Sequence, residues 1–303
     1  MQNQTLELEQ VELDKIGNTN AEDKADWGGM LPFFLVHVVC LSTFWVGVSW
    51  AAFGACLVML FLRMFALTAG YHRYFSHRTY KTSRAFQFLL ALIGTTSGQM
   101  GPLWWAAHHR HHHLHADTQE DVHPPTLKGF WWSHMGWVLC KKYYMNYDER
   151  SIRDFGRYPE LRWLNENALL MPFLLGTVLF IFGQWLEVSA PTLHTNGIQM
   201  AVWGFFVSTV FLYHLTFCVN SLAHTVGSRR FETSDTSRNS FLLGLITMGE
   251  GWHNNHHRYP SSERQGFHWW EIDLTHYLLK ALSWVGVVRE LRNPPREINT
   301  KSR

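Results

Sequence analysis

"WWAAHHRHHHLHADTQEDVHPP", residues 104–125, places seven histidines within twenty-two positions in the middle of the chain. His109, His112 and His113 follow the spacing i, i+3 and i+4, which puts three imidazoles on one face of a helix. The same spacing recurs at His253, His256 and His257, in "GEGWHNNHHRYP" at residues 249–260. A histidine-rich tract could store metal by itself. The second, distant trio instead favours one site that the fold assembles from both.

Four apolar runs flank these motifs and decide the compartment. Each run is near the length that crosses the hydrocarbon of a bilayer, and they occupy residues 31–48, 50–70, 168–185 and 198–217. The first and second runs are joined by a short connection without Lys or Arg, and so are the third and fourth. The segments that follow the second run and the fourth run are rich in both residues. The positive-inside rule therefore predicts an all-α membrane protein with four transmembrane helices in two hairpins, and with both termini and the middle segment in the cytoplasm.

The remaining chain is expected to form a helical cytoplasmic cap. Residues 1–28 are polar and are expected to be a disordered tail, which leaves one domain at residues 29–303. The apolar stretch at residues 85–93 is too short to span a bilayer, so we expect an interfacial or buried helix there. Arg63, inside the second run, is expected to snorkel to the membrane interface.

Charge and cysteine usage exclude several classes of protein. The net charge is only +2, and Lys and Arg form no compact basic tract, so nucleic acid is not an expected partner. The cysteines are widely spaced, without a C-x-x-C pair, at Cys40, Cys56, Cys140 and Cys218. A disulfide framework, a zinc ribbon and an iron–sulfur centre are therefore poorly supported. Any metal ligands are not thiolates.

Two further motifs lie beside predicted membrane helices on the same face. "GYHRYFSHR" at residues 70–78 supplies His72 and His77, and "FCVNSLAHT" at residues 217–225 supplies Asn220 and His224. His72 and His77 are five positions apart, which turns them away from each other on an α-helix and predicts that they bind different ions. Other histidines, including His37, His134 and His214, are interpreted as ordinary surface or core residues.

Together these motifs supply more imidazoles than one metal ion can bind, so the sequence predicts a dinuclear site. Imidazole suits iron, zinc, copper and nickel, so ligand type does not fix the metal. Spacing alone also leaves the register of the first trio open. His108, His111 and His112 have the same H-x-x-H-H pattern as the trio that begins at His109.

The combination of motifs resembles the integral-membrane fatty acid desaturases, and in particular the stearoyl-CoA desaturase-like branch that acts at Δ9. The resemblance covers roughly residues 29–290. It is carried by "TAGYHRYFSHRTYKTSR", "HHRHHH", "NSLAH" and "GEGWHNNHHRYP", with support from "GFWWSHMGW" and "WWEIDLTHYLLKAL". Arg110 matches the family's arginine only if the first trio begins at His109. One departure is that Ala107 and His108 stand where acyl-CoA enzymes of animals carry an Arg-Asp pair implicated in holding CoA.

The resemblance implies a set of metal ligands and an activity. Two iron ions (Fe²⁺) would be bound by nine histidines, and Asn220 would hold a metal-bound water. The histidines are His72, His77, His109, His112, His113, His224, His253, His256 and His257. The implied reaction uses O₂ as co-substrate and introduces a cis double bond, expected at Δ9, into a saturated long-chain acyl group, expected to be acyl-CoA.

Partners and alternatives follow from the same resemblance. The chain has no motif for carrying electrons, so we expect an external donor, a ferredoxin or small cytochrome with its reductase. A bacterial inner membrane is the expected location, with membrane lipid as a further partner. The alternatives are a histidine-box hydroxylase and an acyl-lipid rather than acyl-CoA desaturase. A zinc-dependent membrane hydrolase and a non-catalytic metal transporter fit less well.

Overall fold

The computed structural model describes residues 26–295 of the chain. Almost all of the tail predicted at residues 1–28 lies outside the described residues, as do both chain ends whose cytoplasmic location was predicted. The described part is mostly helical, in agreement with the predicted all-α class. Its strands are one antiparallel pair, β1 (Lys81–Thr82) and β2 (Val288–Arg289).

The first apolar run forms two short helices, α1 (Leu31–Cys40) and α2 (Thr43–Val46). The break lies where the hydroxyls of Ser42 and Thr43 donate to the carbonyls of Val39 and Cys40, at 2.6 and 2.8 Å. Such side-chain bonds to the backbone compete with continuous helix formation. The run therefore does not form one helix of the length predicted for a membrane span.

The second run forms one continuous helical segment. Helix α3 (Trp50–Phe65) begins at Ser49, whose hydroxyl accepts a hydrogen bond from the Ala52 amide. It continues as a π-helix, π1 (Ala66–Ser76), which is buried along its whole length. Arg63 does not snorkel: it is 1% exposed and donates hydrogen bonds to Ser208 and Thr209 on a neighbouring segment.

The middle of the chain folds into short helices around π1. Helix α4 (Arg84–Thr95) has 12 residues, which agrees with the short helix expected there, and α5 (Pro102–His115) carries the first histidine trio. The helices that follow are α6 (Pro125–Lys128), π2 (Trp132–Gly136), the 3₁₀ turns Trp137–Leu139 and Glu149–Ile152, α7 (Lys141–Met145), α8 (Arg153–Gly156) and α9 (Pro159–Glu166).

The second apolar pair is α10 (Leu170–Ser189), followed after a 3₁₀ turn at Pro191–Leu193 by α11 (Gly197–Ala201), π3 (Val202–Val207) and α12 (Ser208–Thr225). Two glycines let its halves pack backbone to backbone. A Cβ at Gly183 would lie 2.6 Å from the Asn196 carbonyl oxygen, and one at Gly197 would lie 2.7 Å from that of Phe180. Helices α13 (Phe241–Ile246), α14 (His253–Arg258) and α15 (Leu274–Trp284) complete the described part.

Within the described residues, three helical segments are long and apolar enough to cross a membrane. They are Trp50–Ser76, Leu170–Ser189 and Gly197–Thr225, whereas Leu31–Val46 and Arg84–Thr95 are shorter apolar segments. The predicted count of four spans is therefore not confirmed. The main hydrophobic core is built around π1, with Tyr71 and Phe75 completely buried against α4 and α5.

Candidate metal centre

The nine histidines singled out from the sequence meet in two groups. One ring nitrogen from each member lies within 4.8 Å of those of the others in its group. The first histidine group is His72, His77, His109, His113 and His256. The second histidine group is His112, His224, His253 and His257. Segments far apart in sequence, on π1, α5, α12 and α14, thus converge on one place.

Each histidine trio is divided between the two groups. On α5, His109 and His113 belong to the first group and His112 to the second. On α14 the division is reversed, because His253 and His257 belong to the second group and His256 to the first. In both trios the i, i+4 pair points to one group and the residue between them to the other. Two ions can therefore be held by the same two helices.

The prediction that His72 and His77 face different groups was wrong. Both belong to the first group, and their ring centroids are 4.9 Å apart. The reason is the π-helix: the His77 amide donates to the carbonyl of His72, an i to i+5 hydrogen bond of 3.2 Å. The wider turn of a π-helix brings residues five apart onto the same side.

Four of the nine imidazoles have a carboxylate at Nδ1. The distances are 2.5 Å from His72 to Glu250, 3.0 Å from His112 to Asp121, 3.1 Å from His224 to Asp117 and 2.8 Å from His257 to Asp235. Each Nδ1–H donates to its carboxylate, which leaves Nε2 as the nitrogen that can bind a metal ion. Histidines that bind metals are usually held in this way.

Within each group, the Nε2 atoms face one another. In the second group, Nε2 of His253 lies 3.1 Å from Nε2 of His224 and 3.0 Å from Nε2 of His257. A neutral His253 has at most one proton to donate there, so two of these contacts cannot both be hydrogen bonds. Two nitrogens that bind one ion at roughly 2.1 Å and about a right angle lie about 3.0 Å apart. The arrangement fits a cation between the nitrogens.

The protonation states also favour metal binding. Burial, together with repulsion from neighbouring imidazoles, lowers the pKa of His77, His109, His113, His253 and His256 well below the ordinary value. Burial lowers the pKa of His257 to about 4, although its bond to Asp235 acts in the opposite direction. Neutral imidazole is the form that binds a metal ion.

The carboxylates remain ionised beside these rings. Burial acts to raise the pKa of Asp121 and Asp235, but the paired histidines and hydrogen bonds outweigh it and hold both pKa values below the usual range. The same balance lowers the pKa of Glu250, where His72 and Arg73 are the favourable partners. These negative charges would offset the positive charge of metal ions held by the histidine groups.

A large cavity reaches both groups. Its volume is about 1190 Å³, above the roughly 300–1,000 Å³ of typical small-molecule pockets. His72, His109, His112 and His253 line it, and so does Asn220, which is half-buried one helical turn before His224. Away from the histidines its wall becomes apolar, with Met64, Leu67, Phe205 and Phe206.

Two features of the site were not found from the sequence. Asp117 follows the first trio by four residues, and Asp235 lies outside the histidine motifs. Asp117 adopts a left-handed backbone conformation, with a φ of 61°, which is uncommon for residues other than glycine. The second feature is a chain of histidines that had been interpreted as ordinary. His37 Nε2 lies 3.2 Å from His214 Nε2, and His214 Nδ1 lies 3.0 Å from His134 Nε2.

Comparison with known proteins identifies the family. The fatty acid desaturase family model matches residues 48–286. The chain is 34% identical to the sn-1 stearoyl-lipid 9-desaturase of Anabaena variabilis, over 90% of this chain and 96% of that protein. It is 35% identical to the protein of the same name from Synechocystis, over 89% and 81%. It is 34% identical to the acyl-CoA C20 Delta5-desaturase of Anemone leveillei, over 86% and 79%.

The chain therefore belongs to the fatty acid desaturase family. It is an oxidoreductase of lipid metabolism with the apolar helices of a membrane protein, and its histidine groups can hold metal ions.

Proposed function

We propose that this desaturase introduces a cis double bond between C9 and C10 of a saturated long-chain acyl group, using O₂. The observation that carries the proposal is the convergence of two histidine groups on one cavity with an apolar wall. The names of two similar cyanobacterial relatives support the ninth position. A relative named for position five matches at similar identity, so the position needs a direct test.

The nine histidines are proposed to bind two iron ions, with Asn220 holding a water on the second group. Iron suits this donor set, because imidazole binds it and zinc has no redox chemistry for breaking an unactivated C–H bond. When bound, iron supplies the oxidation of two adjacent carbons by O₂. The protein's part is to orient the rings through Asp117, Asp121, Asp235 and Glu250, and to hold the acyl chain beside them.

The cavity wall is suited to a hydrocarbon chain. From His72 the lining continues towards the membrane-embedded part of π1 and α3 through Thr68, Leu67 and Met64. Phe205 and Phe206 of π3 line the same end. An acyl tail that occupies this end buries apolar surface, while the carbons near the histidines are held in place.

For the acyl carrier, we propose a membrane lipid rather than the acyl-CoA expected from the sequence. His108 stands at one of the two positions that differ from the CoA-holding pair, and it packs on Trp104 with ring centroids 4.2 Å apart. Ala107 carries no charge and burial lowers the pKa of His108 to about 4, so neither position offers the positive charge of the missing arginine to the phosphates of CoA at neutral pH. Acyl-CoA remains the second candidate, because similar relatives are named for it.

Electrons are proposed to come from a ferredoxin or small cytochrome that docks on the cytoplasmic cap. The positive-inside rule supports a cytoplasmic cap, because the segments that build it hold most of the Lys and Arg residues. A bacterial inner membrane is the proposed location.

The function is tested by expression in cells with a simple fatty acid profile, followed by mapping of double bonds. The wild type should produce a new monounsaturated acid. His112→Ala should abolish it, whereas His111→Ala, the neighbouring residue outside both groups, should retain it. This pair also tests the register, because His111 belongs to the alternative trio.

Other products, together with metal analysis and assays on membranes, can overturn parts of the proposal. A hydroxylated acid would establish the hydroxylase alternative, and zinc instead of iron in the active protein would favour a hydrolase. Labelled membranes supplied with either stearoyl-CoA or a stearoyl-lipid decide the carrier. Conversion of the CoA ester without transfer to lipid would overturn the lipid assignment.

A further inference from the structure

Arg63 is a buried arginine within a segment long and apolar enough to span a membrane. It is 1% exposed and belongs to Trp50–Ser76. Among residues 26–295, no carboxylate forms an ion pair with it; its partners are hydroxyls and carbonyls. A charged residue at membrane depth is costly and usually has a functional reason.

Its guanidinium connects three segments. Nε donates to the carbonyl of Met59 on its own helix, at 3.1 Å. One terminal nitrogen donates to the Thr209 hydroxyl at 2.7 Å and to the Thr96 carbonyl at 3.4 Å, and the other donates to the Ser208 hydroxyl at 2.5 Å. Arg63 thus ties α3 to the residues after α4 and to the junction of π3 with α12.

All three segments contribute to the wall of the cavity. Met64 follows Arg63, Gly98 lies two residues after Thr96, and Phe205 lies three residues before Ser208; all three line the cavity. The guanidinium also lies 5.9 Å from the centroid of the Phe205 ring. Met64 is eight positions before His72 on the same continuous segment, so this part of the wall lies on the membrane side of the histidine groups.

The connection to Phe205 passes through hydroxyl groups. Ser208 donates to the carbonyls of Gly204 and Phe205, at 2.6 and 3.0 Å, and Thr209 donates to the Phe205 carbonyl at 2.6 Å. Both hydroxyls use their protons in these bonds and accept from Arg63. The backbone that carries Phe205 is therefore held by Arg63 through two side chains.

A purely structural tie would not need a charge here. Apolar side chains of similar volume often stabilise a buried site as well as a charged group does, or better. A guanidinium differs in offering several donors in a fixed plane, which holds its partners at defined positions. Arg63 therefore contributes accurate positioning of Ser208 and Thr209 beside the apolar part of the cavity.

We propose that Arg63 is a positioning residue that sets the acyl chain length by fixing Phe205 at the membrane-side end of the cavity. The proposal rests on the proposed function, because it treats the cavity as the acyl site. Without Arg63, the π3 backbone relaxes, the end of the cavity becomes deeper, and longer chains are accommodated.

The test compares Arg63→Met, which keeps the length of the side chain but removes its donors, with the wild type. Leu57→Ala is the control, since Leu57 lies on the same helix, is half-exposed and does not line the cavity. Cells are supplied with an equal mixture of palmitic, stearic and arachidic acids, and the monounsaturated products are quantified by length. Arg63→Met should raise the ratio of longer to shorter products by about tenfold. This is the lower end of the discrimination that one methylene group gives in an apolar pocket. Leu57→Ala should leave the ratio unchanged.

A binding measurement separates this proposal from the proposed function. The thermal shift of purified, metal-loaded protein with the three saturated acids, measured without an electron donor so that no turnover occurs, should show a changed order of preference in Arg63→Met even if no product forms in any variant. Thr209→Val removes one hydroxyl from the opposite side and should shift the preference in the same direction, which covers the case in which Arg63→Met does not fold. An unchanged order of chain lengths in folded Arg63→Met or Thr209→Val overturns the proposal.

Discussion

At the level of single residues, the carboxylates behind the histidines matter as much as the imidazoles. Asp235 accepts from Nδ1 of His257 at 2.8 Å and also holds the Ser237 amide and the Thr233 hydroxyl, each at 2.9 Å. Asp117 similarly holds His224 together with the amide and hydroxyl of Thr236. Asp235 therefore fixes a ring and its own loop, whereas Asp117 fixes a ring and the loop that carries Asp235.

We expect Asp235→Asn to lower metal affinity at the second histidine group by roughly 10–100-fold, the usual effect of losing such a partner. The amide cannot stabilise the ring's N–H as strongly as a carboxylate does. Metal content after dialysis against graded chelator measures the change. Asp148→Asn, an exposed acid outside both groups, is the control, and equal metal content in the two variants would contradict the expectation.

Gly251 illustrates a constraint of a different kind at the residue scale. A Cβ there would overlap the backbone of Leu243 and Gly244 on α13. Because Gly251 lies two residues before His253, this close approach positions the second trio.

Gly251→Ala should lower both the melting temperature and the metal content, since α14 must move away from α13. Gly54→Ala is a matched comparison, because a Cβ at Gly54 meets nothing within 4 Å. Thermal unfolding in detergent with metal analysis checks both variants. A normal metal content in Gly251→Ala would show that the approach does not position the trio.

At the level of elements, the histidine chain connects three segments. His37 lies on α1, His214 on α12 and His134 on π2, and the chain ends where His134 Nδ1 contacts the Ser221 hydroxyl at 3.0 Å. Hydrogen bonds between helices in a membrane contribute modestly to stability. The chain holds the short first helix and the cap segment against the helix that carries Asn220 and His224.

His214→Ala breaks both imidazole contacts and should destabilise the protein by roughly 1 kcal/mol, about 0.6 kcal/mol for each bond lost. Metal content should stay at the wild-type level, because His214 belongs to neither histidine group. Unfolding in detergent measures the loss, with the exposed His194→Ala as control. Loss of metal together with stability would show that the chain also supports the centre.

At the level of the whole molecule, we expect the nine imidazoles to make the stability of the fold depend on metal. Where two facing ring nitrogens both lack a proton, their lone pairs repel unless a cation lies between them. Metal binding at such a site also contributes to folding stability, since the site exists only in the folded chain.

Removal of metal with a chelator should therefore lower the melting temperature of the wild type, and adding Fe²⁺ should restore it. The expected shift is smaller in His112→Ala, which retains the first histidine group. Differential scanning in detergent measures all three. An unchanged melting temperature after verified loss of metal would contradict the inferred repulsion.

Much of this architecture follows from the sequence. The spacing of the two trios, the apolar runs and the resemblance of the motifs identified the helical class, the family and nine histidines that do converge. These features are local, because helix periodicity and hydropathy depend on residues a few positions apart.

Tertiary structure alone decided the rest. The π-helix that turns His77 towards His72, the crossed division of the trios, the choice of Asp117 and Asp235, and the burial of Arg63 all depend on partners distant in the chain. Mean hydropathy also did not predict that the first apolar run is divided into two short helices. The division comes with hydrogen bonds from the Ser42 and Thr43 hydroxyls to the backbone, and these bonds do not change the mean hydropathy of the run. The sequence thus determined which groups are available, and packing determined their directions, since a side chain's orientation depends on the segments that surround it.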